Sequence, residues 1–369
     1  MRSNGLGGDK RWVSIIVPCR NERGHIETFA ASALAQRLPS GWRLEIVIAD
    51  GDSDDGTQAI LVALAKLDKR LRVVPNPGRI VSAGLNVAIA QSRGAVIVRM
   101  DVHTTYADDY VAECLAALER TGADNVGGPW HAEAVATGGP MQAAIAAAFQ
   151  SPAVAGGAMS RRLDHEGPVD TVYLGAWPRR SFERFGGFDE TLVRNQDDEH
   201  NLRIVQGGGR VWQSPRIRST YRPRAKLRQV FRQYSQYGYW KPFVMKKAGQ
   251  PAALRHVVPA LFVAGLGLCA VLAVLGLAAA LLARTMGEPA AWWKWAVAPL
   301  AVLIGAYAVS VAVLTASVAR TQRPPASVLW RVPGVIATYH IGYGLGSIAG
   351  LCAALFGGGD SARYATSSR

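Results

Sequence analysis

The stretch LEIVIADGDSDDGT, residues 44–57, joins an apolar, β-branched run to a loop rich in carboxylates. The run has the length and composition of a buried strand. The loop carries four carboxylates within six residues, Asp50 to Asp55, which repel one another unless they are solvated or meet a cation or hydrogen-bond donors. Asp55 is also suited to cap a following helix. The stretch therefore predicts a strand that ends in a polar site.

Three further runs repeat this rhythm of strand, polar loop and helical periodicity, at Val13–Val17, Leu71–Val74 and Ala95–Met100. Strands that alternate with helices predict a mostly parallel sheet with helices on both faces, an α/β fold. In such sheets ligands bind beyond the carboxyl ends of the strands. No glycine-rich GxGxxG turn follows the first run, which argues against a dinucleotide-binding domain.

The fourth run ends in Arg99-Met100-Asp101-Val102-His103. Alternation along an extended segment directs Asp101 and His103 to the same side. A carboxylate and an imidazole there can share a divalent cation and leave positions open for phosphate oxygens. An Asp-x-His pair by itself is more often part of a turn. Its position at a strand end, in one sheet with Asp50, favours the ligand role.

The composition changes after His256, beyond which Glu288 and Asp360 are the only acids. Three apolar runs follow, at about 257–282, 296–318 and 332–356. The first would form a helix of roughly 39 Å, enough to cross a hydrocarbon core of about 30 Å. We therefore predict a catalytic domain over 1–215, an interfacial segment over 216–256 and a transmembrane domain of about three helices over 257–369.

The formal net charge of +14 is concentrated between Arg216 and Lys247, where ten basic residues occur without an acid. Aromatic residues interleave with them, and a membrane candidate follows directly. Attraction to anionic headgroups therefore explains the segment better than binding to nucleic acid. We expect membrane lipids as partners and no nucleic acid.

The basic residues also predict the orientation. The positive-inside rule places Lys246, Lys247, Arg255 and the 320–331 loop in the cytoplasm, and the 284–294 loop and the C-terminal tail outside. The first apolar run is too short for a signal peptide, which predicts a cytoplasmic catalytic domain at the cell membrane. The four cysteines show no paired spacing and indicate neither disulfides nor a zinc site.

Several motifs follow one another in a fixed order. The first half of the chain contains Val-Pro-x-x-Asn-Glu, the Asp50–Thr57 loop, Gly84-Leu85-Asn86 and Asp101-x-His103. The second half contains Gly175-Ala176-Trp177, Gly186-Gly187-Phe188-Asp189-Glu190 and Asn195-Gln196-Asp197-Asp198-Glu199. This set, which covers about 230 residues, resembles the family 2 glycosyltransferases, which have a Rossmann-like GT-A fold. It is most similar to the membrane-anchored, succinoglycan-type glucosyltransferases of bacterial exopolysaccharide synthesis.

The resemblance implies a role for each matching residue. The nucleotide of the donor would be bound by Pro18, Asn21, Glu22, Asp50, Asp52, Asn86 and Arg99, with Asp50 accepting a hydrogen bond from the base. Asp101 and His103 would hold Mn²⁺ or Mg²⁺ beneath the diphosphate. Asp197 would be the catalytic base. Gln196 replaces the family's Glu, however, and Asp198 follows at once, so Asp198 is the alternative base. His103 replaces the second Asp of the metal motif.

These roles predict an inverting, metal-dependent hexosyltransferase. The cation would stabilise the leaving diphosphate, and a carboxylate would take the proton of the attacking hydroxyl. We expect a nucleotide-sugar donor, a UDP-sugar, and a lipid-linked saccharide acceptor at the cytoplasmic membrane face. The alternatives are a synthase that charges a polyprenyl phosphate directly and an inactive membrane scaffold.

Overall fold

The computed structural model describes residues 11–249, 254–289 and 291–357. The chain divides into two compact units, one of residues 1–133 and 158–223, the other of residues 134–157 and 224–369. The first holds the predicted sheet and the second holds the apolar helices. The sequence did not indicate that residues 134–157 group with the C-terminal helices.

The first unit alternates strands and helices as the apolar runs predicted. Its strands are β1 (Arg11–Cys19), β2 (Trp42–Asp50), β3 (Leu71–Pro75), β4 (Val96–Arg99), β5 (Thr104–Tyr106), β6 (Asn125–Gly128), β7 (His131–Ala132), β8 (Gly167–Pro168), β9 (Tyr173–Pro178), β10 (Val211–Gln213) and β11 (Ser219–Tyr221). Its helices are α1 (Ile26–Leu34), α2 (Thr57–Leu67), α3 (Val81–Gln91), α4 (Tyr110–Thr121), α6 (Arg179–Phe185) and α7 (Gln196–Gln206).

The main sheet has the strand order β3-β2-β1-β4-β9-β6-β10-β8. Strands β1 to β4 pair in parallel, as expected, whereas β9 lies antiparallel between β4 and β6. The chain moves from β1 to β2 and β3 on one side and to β4 on the other, so the order reverses at β1. A crevice forms beyond the strand ends at such a reversal, and it positions the candidate site.

An aromatic core packs α6 and α7 beneath the sheet. His200 is fully buried there, with its ring centroid 5.3 Å from that of Phe182 and 4.8 Å from that of Phe188. Its Nε2 lies 3.1 Å from the carbonyl oxygen of Gly186. Burial lowers the pKa of His200 to about 4, so the ring is neutral near pH 7. A neutral, hydrogen-bonded ring can serve as part of an apolar core.

The second unit is helical over its described residues. It contains α5 (Gly139–Gln150), α8 (Leu227–Ala248), α9 (Leu254–Thr285), α10 (Trp293–Gln322), α11 (Ala326–Leu329) and α12 (Val332–Phe356). Three stretches, around α9, α10 and α11–α12, are long and apolar enough to cross a membrane. They match the predicted runs, with α9 and α10 a few residues longer at each end.

Close backbone contact joins α8 to α12. A Cβ placed on Gly346 would lie 2.1 Å from the carbonyl oxygen of Ser235, and one on Gly350 would lie 2.1 Å from that of Tyr239. Both pairs are four residues apart along their helices, so α8 and α12 run parallel and in register. Small residues permit this approach because no side chain separates the backbones.

This contact predicts that Gly346→Ala destabilises the second unit by about 1–3 kcal/mol, the usual cost of overpacking. Gly334→Ala is the matched control, because a Cβ at Gly334 meets nothing within 4 Å. The control should be neutral or slightly stabilising, since alanine favours helix. Thermal unfolding in detergent measures both variants, and equal midpoints would contradict the close packing.

Candidate active site

The loops after β1 and β2 are joined by reciprocal hydrogen bonds. The side-chain amide of Asn21 donates to Asp54 Oδ1 at 2.9 Å, and the backbone N–H of Asp54 donates to Asn21 Oδ1 at 3.0 Å. The backbone N–H of Asn21 donates to Ser53 Oγ at 2.9 Å. Asn21 has a φ of 55°, a left-handed conformation that asparagine tolerates better than most residues. The two loops therefore form one rigid wall of the crevice.

Asp50 lies at the end of β2 and is only 4% exposed. Its carboxylate accepts hydrogen bonds from Ser53 Oγ at 2.5 Å and from the backbone N–H of Ser53 at 3.3 Å. Asp50 thus fixes the shape of its own loop. A contact between Asp50 and a nucleobase stays a prediction.

Asp55 accepts two hydrogen bonds from Thr57, at 3.0 Å from its N–H and 2.5 Å from its hydroxyl. The hydroxyl lowers the pKa of Asp55, so this carboxylate is ionised. Thr57 Oγ1 in turn accepts the backbone N–H of Glu22 at 2.9 Å. The N-cap of α2 is Gly56, without a side-chain cap hydrogen bond, so the expectation that Asp55 caps this helix is wrong by one residue. The bonds between Asp55, Thr57 and Glu22 instead hold Glu22 beside this loop, where it is 8% exposed.

Asp52 and Asn86, also predicted to bind the donor, contact other residues of the protein. Asp52 is exposed and forms an ion pair with Arg79 at the surface. The amide nitrogen of Asn86 donates to the carbonyl oxygen of Phe188 and to Glu190 Oε1, both at 2.8 Å. Asn86 Oδ1 accepts the N–H of Phe188 at 2.8 Å. The hydrogen-bonding groups of Asn86 therefore hold a loop against α3, and a contact between Asn86 and the donor stays a prediction.

Arg99 joins the two halves of the site. This residue at the end of β4 is 4% exposed. Its Nε lies 3.0 Å from Asp101 Oδ1 and its Nη2 lies 3.3 Å from Asp101 Oδ2, while Nη1 forms an ion pair with Asp197. Burial disfavours its charge, but the two carboxylates outweigh that effect and hold the pKa of Arg99 above its usual value. The expected metal-site carboxylate and the expected base thus meet at one guanidinium.

Asp197 and Asp198 face different surroundings at the start of α7. Asp197 pairs with Arg99, whereas Asp198 Oδ1 lies 3.4 Å from the hydroxyl of Thr171. Burial raises the pKa of Asp197 to about 6; Asp101 and Asp198 add to this, and Arg99 opposes it. The side chain nevertheless keeps 34% of its surface accessible. Asp197 is therefore a carboxylate of raised basicity that substrate can reach.

His103 and Glu22 approach each other across the crevice, with His103 Nδ1 3.6 Å from Glu22 Oε1. Asp101 and His103 lie two residues apart in the turn after β4, and their side chains are 17% and 27% exposed. Among the described residues, His, Cys, Asp and Glu form no group of three that could hold a metal ion. Both Asp101 oxygens already contact Arg99, so a cation at this pair stays a prediction. It would take its remaining ligands from phosphate oxygens and water, as Mg²⁺ often does.

The sequence interpretation did not identify the aromatic residues that support Asp101. The backbone N–H of Asp101 donates to Tyr106 Oη at 2.6 Å, and this hydroxyl lies 3.1 Å from the carbonyl oxygen of Asp101. Tyr173 Oη lies 2.8 Å from Thr104 Oγ1, and Trp130 stacks on Tyr173 with ring centroids 4.9 Å apart. Trp130 lies two residues after the end of β6. Because ligands bind beyond strand ends in such sheets, this position in the sequence was a signal that Trp130 belongs to the site.

Comparisons with known proteins agree with this geometry. Residues 14–184 match the sequence profile described as Glycosyl transferase family 2. The chain is 34% identical over 271 residues to the succinoglycan biosynthesis protein ExoA of Rhizobium meliloti (strain 1021), covering 70% of this chain and 78% of that protein.

A more distant relative is the dolichyl N-acetyl-alpha-D-glucosaminyl phosphate 3-beta-D-2,3-diacetamido-2,3-dideoxy-beta-D-glucuronosyltransferase of Methanococcus voltae. It is 24% identical over 244 residues, which cover 64% of this chain and 74% of the relative. Among solved structures, the mannosyltransferase PcManGT from Pyrobaculum calidifontis, in complex with GDP-Man and Mn²⁺, has a TM-score of 0.52 at 17% identity, over 90% of this chain and 87% of that one. At this identity the likeness concerns the fold.

Proposed function

We propose that this chain, which belongs to glycosyl transferase family 2, transfers a hexose with inversion from a nucleotide sugar to a lipid-linked saccharide at the cytoplasmic membrane face. The family makes it a glycosyltransferase, and the expected GT-A fold is confirmed. The donor, the acceptor, the cation and the membrane side are our proposals. The alternatives of a polyprenyl-phosphate synthase and an inactive scaffold are outcomes of the tests below.

The ion pairs of Arg99 carry this proposal. They place Asp101, from the donor half of the chain, and Asp197, from the acceptor half, on one guanidinium. Transfer requires a leaving diphosphate and an attacking hydroxyl on opposite sides of one anomeric carbon.

We place the donor nucleotide against the wall formed by the loops after β1 and β2, with Pro18, Asn21, Glu22 and Asp50. The Asp101–His103 pair would hold Mn²⁺ or Mg²⁺, which would supply Lewis-acid stabilisation of the leaving diphosphate. The neighbour PcManGT, whose structure contains GDP-Man and Mn²⁺, supports this assignment. A UDP-linked hexose is our expected donor.

Asp197 is our catalytic base. A carboxylate with a pKa of about 6 is ionised near pH 7 and is more basic than an ordinary aspartate, which suits removal of a hydroxyl proton as the bond to the sugar forms. Arg99 fixes its orientation. The acceptor oxygen attacks the anomeric carbon, its proton passes to Asp197, and the nucleoside diphosphate leaves with the electron pair of the broken bond.

Asp197→Asn should bind donor nearly as well as the wild type and transfer sugar about a hundredfold more slowly, the usual scale of a general-base contribution. Asp198→Asn is the matched control, because Asp198 follows Asp197 directly in α7 but lies beside the hydroxyl of Thr171. Donor affinity by calorimetry and single-turnover transfer rates separate the two effects. A large loss in Asp198→Asn alone would move the base by one residue.

The pH profile gives an independent test of this base. Transfer by the wild type should fall as the pH drops through about 6, because protonated Asp197 cannot accept the hydroxyl proton. Asp198→Asn should shift this midpoint slightly downwards, since it removes a charge that raises the pKa of Asp197. A flat profile between pH 5 and pH 8 would contradict the assignment.

Chelator should abolish transfer, and Mn²⁺ or Mg²⁺ should restore it. Asp101→Asn should lose most activity while remaining folded, because it removes a cation ligand and one of the two partners of Arg99. Asp108→Asn is the matched control, since its carboxylate pairs with Arg37 at the surface. Full transfer in excess chelator would eliminate the cation from the proposal.

The acceptor follows from membrane anchoring. Three helices are long and apolar enough to cross a membrane, and a relative is named for a dolichyl-linked sugar phosphate. Anchoring restricts the site to the neighbourhood of the headgroups, where a lipid-linked hydroxyl is concentrated and oriented. A freely diffusing acceptor would gain nothing from this arrangement.

Product from radiolabelled donor and membrane lipid extract should therefore partition into organic solvent and release a short oligosaccharide on mild acid treatment. Transfer to bare polyprenyl phosphate would instead favour the synthase alternative. Label found only in soluble sugar, protein or long polymer would contradict the lipid-linked acceptor, and the absence of donor hydrolysis and transfer would support the scaffold.

A further inference from the structure

The parallel pairing of α8 with α12 extends along most of both helices. At one end, a Cβ on Gly342 would lie 3.1 Å from the carbonyl oxygen of Phe231. At the other end, Lys246 Nζ donates to the carbonyl oxygen of Ala354 at 3.3 Å. The two helices therefore share one direction and one depth, so a membrane crossed by α12 would also have to be crossed by α8.

The charges of α8 oppose such a crossing. Arg228 and Arg232 are exposed near its start, and Lys246 and Lys247 are exposed near its end. Lys241 lies between them and is half-buried. Arg232 and Lys246 are separated by roughly 21 Å of helix, less than the thickness of a hydrocarbon core. A spanning α8 would therefore carry basic groups into the hydrocarbon, which is strongly unfavourable.

The exposed side of α12 is apolar. Leu345, Leu351, Leu355 and Phe356 are between 45% and 82% exposed. The pair thus has basic residues on the exposed side of one helix and apolar residues on the exposed side of the other. This division suits helices that lie in the headgroup region, with the apolar residues towards the acyl chains and the charges in water.

The helices α9 and α10 behave differently from α12. They contact each other along much of their length: the ring of Phe262 stacks on that of Tyr307, with centroids 4.3 Å apart, and Gly276 lies close to Ala296. In the most apolar 18-residue segment of each helix, only 11% of α9 and 6% of α10 is buried inside the protein. The corresponding share is 39% for the stretch that contains α12. An exposed apolar surface of this extent suits contact with lipid on nearly all sides.

Contacts between α9 and α12 lie at the beginning of α9. His256 Nδ1 is 3.1 Å from Tyr343 Oη, and a Cβ on Gly344 would lie 2.4 Å from the carbonyl oxygen of Pro259. Further along α9, Leu268 and Val271 are 62% and 56% exposed. The geometry therefore indicates that α9 passes the middle of α12 near its own start and then continues away from it.

We propose that α9 and α10 are the two crossing helices of the described residues, and that α8 and α12 form an interfacial pair on the side of the membrane where the chain enters the second unit at Arg224. The described chain then ends, at Gly357, on the same side as the catalytic domain. The apolar runs by themselves predict three crossings and an external C-terminal tail, so the two topologies place Gly357 on opposite sides of the membrane.

Site-directed cysteine labelling of the full-length protein tests this topology. Cys269 and Cys352 are replaced by alanine, whereas Cys19 and Cys114 are buried and their raised pKa keeps them as unreactive thiols. Single cysteines are then introduced as Gly357→Cys, as Glu288→Cys in the loop between α9 and α10, and as Glu119→Cys in the catalytic domain, all at exposed positions. A membrane-impermeant maleimide is applied to sealed vesicles of both orientations.

Gly357→Cys and Glu119→Cys should label in the same vesicles, and Glu288→Cys in those of opposite orientation. Labelling of Gly357→Cys together with Glu288→Cys would overturn the proposal. A green fluorescent protein fused after Arg369 gives a second readout, because it should fluoresce if the tail is cytoplasmic and stay dark if it is exported unfolded. Neither readout depends on sugar transfer, so failure here is distinct from failure of the proposed function.

Discussion

The buried guanidinium of Arg99 is the interaction on which the site depends. Removing an arginine from water costs several kcal/mol unless its charge is compensated by nearby partners. The chain compensates it with Asp101, two residues away, and with Asp197, which comes from α7 in the other half of the sequence. Loss of Arg99 would leave two carboxylates close together, a change that typically costs about 3–5 kcal/mol. The same contacts thus stabilise the fold and assemble the site.

The carboxylate-rich loop after β2 follows the same logic of local compensation. Each of its four acids has its own partner: Asp50 has Ser53, Asp52 has Arg79, Asp54 has Asn21, and Asp55 has Thr57. The repulsion evident in the sequence is therefore relieved by hydrogen bonds and by the ion pair of Asp52 with Arg79. The Asp101–His103 turn remains our proposed place for a divalent ion.

In the second unit, direct contact between helix backbones at glycines holds the elements together, whereas ion pairs do so in the first unit. Gly342, Gly346 and Gly350 lie against the backbone of α8, so a helix with a largely polar and basic sequence is held against an apolar one. Gln236 and Ser347 are buried in this pair. A hydropathy profile does not reveal this row of glycines, because it records how apolar a residue is and not what covers it. The membrane topology therefore depends on the partner of each helix as well as on its composition.

The sequence by itself determined the alternating strands and helices, the polar strand ends, the family and the three apolar stretches. These features follow from local periodicity and from motifs a few residues long. Tertiary structure decided the insertion of β9 between β4 and β6, the pairing of Asp197 rather than Asp198 with Arg99, and the use of Asn86 as a structural clamp. It also decided the burial of His200 and the grouping of α5 with the apolar helices. Each of these joins residues that are distant along the chain, and short-range patterns carry no information about which distant side chain will compensate a buried charge or cover an apolar face.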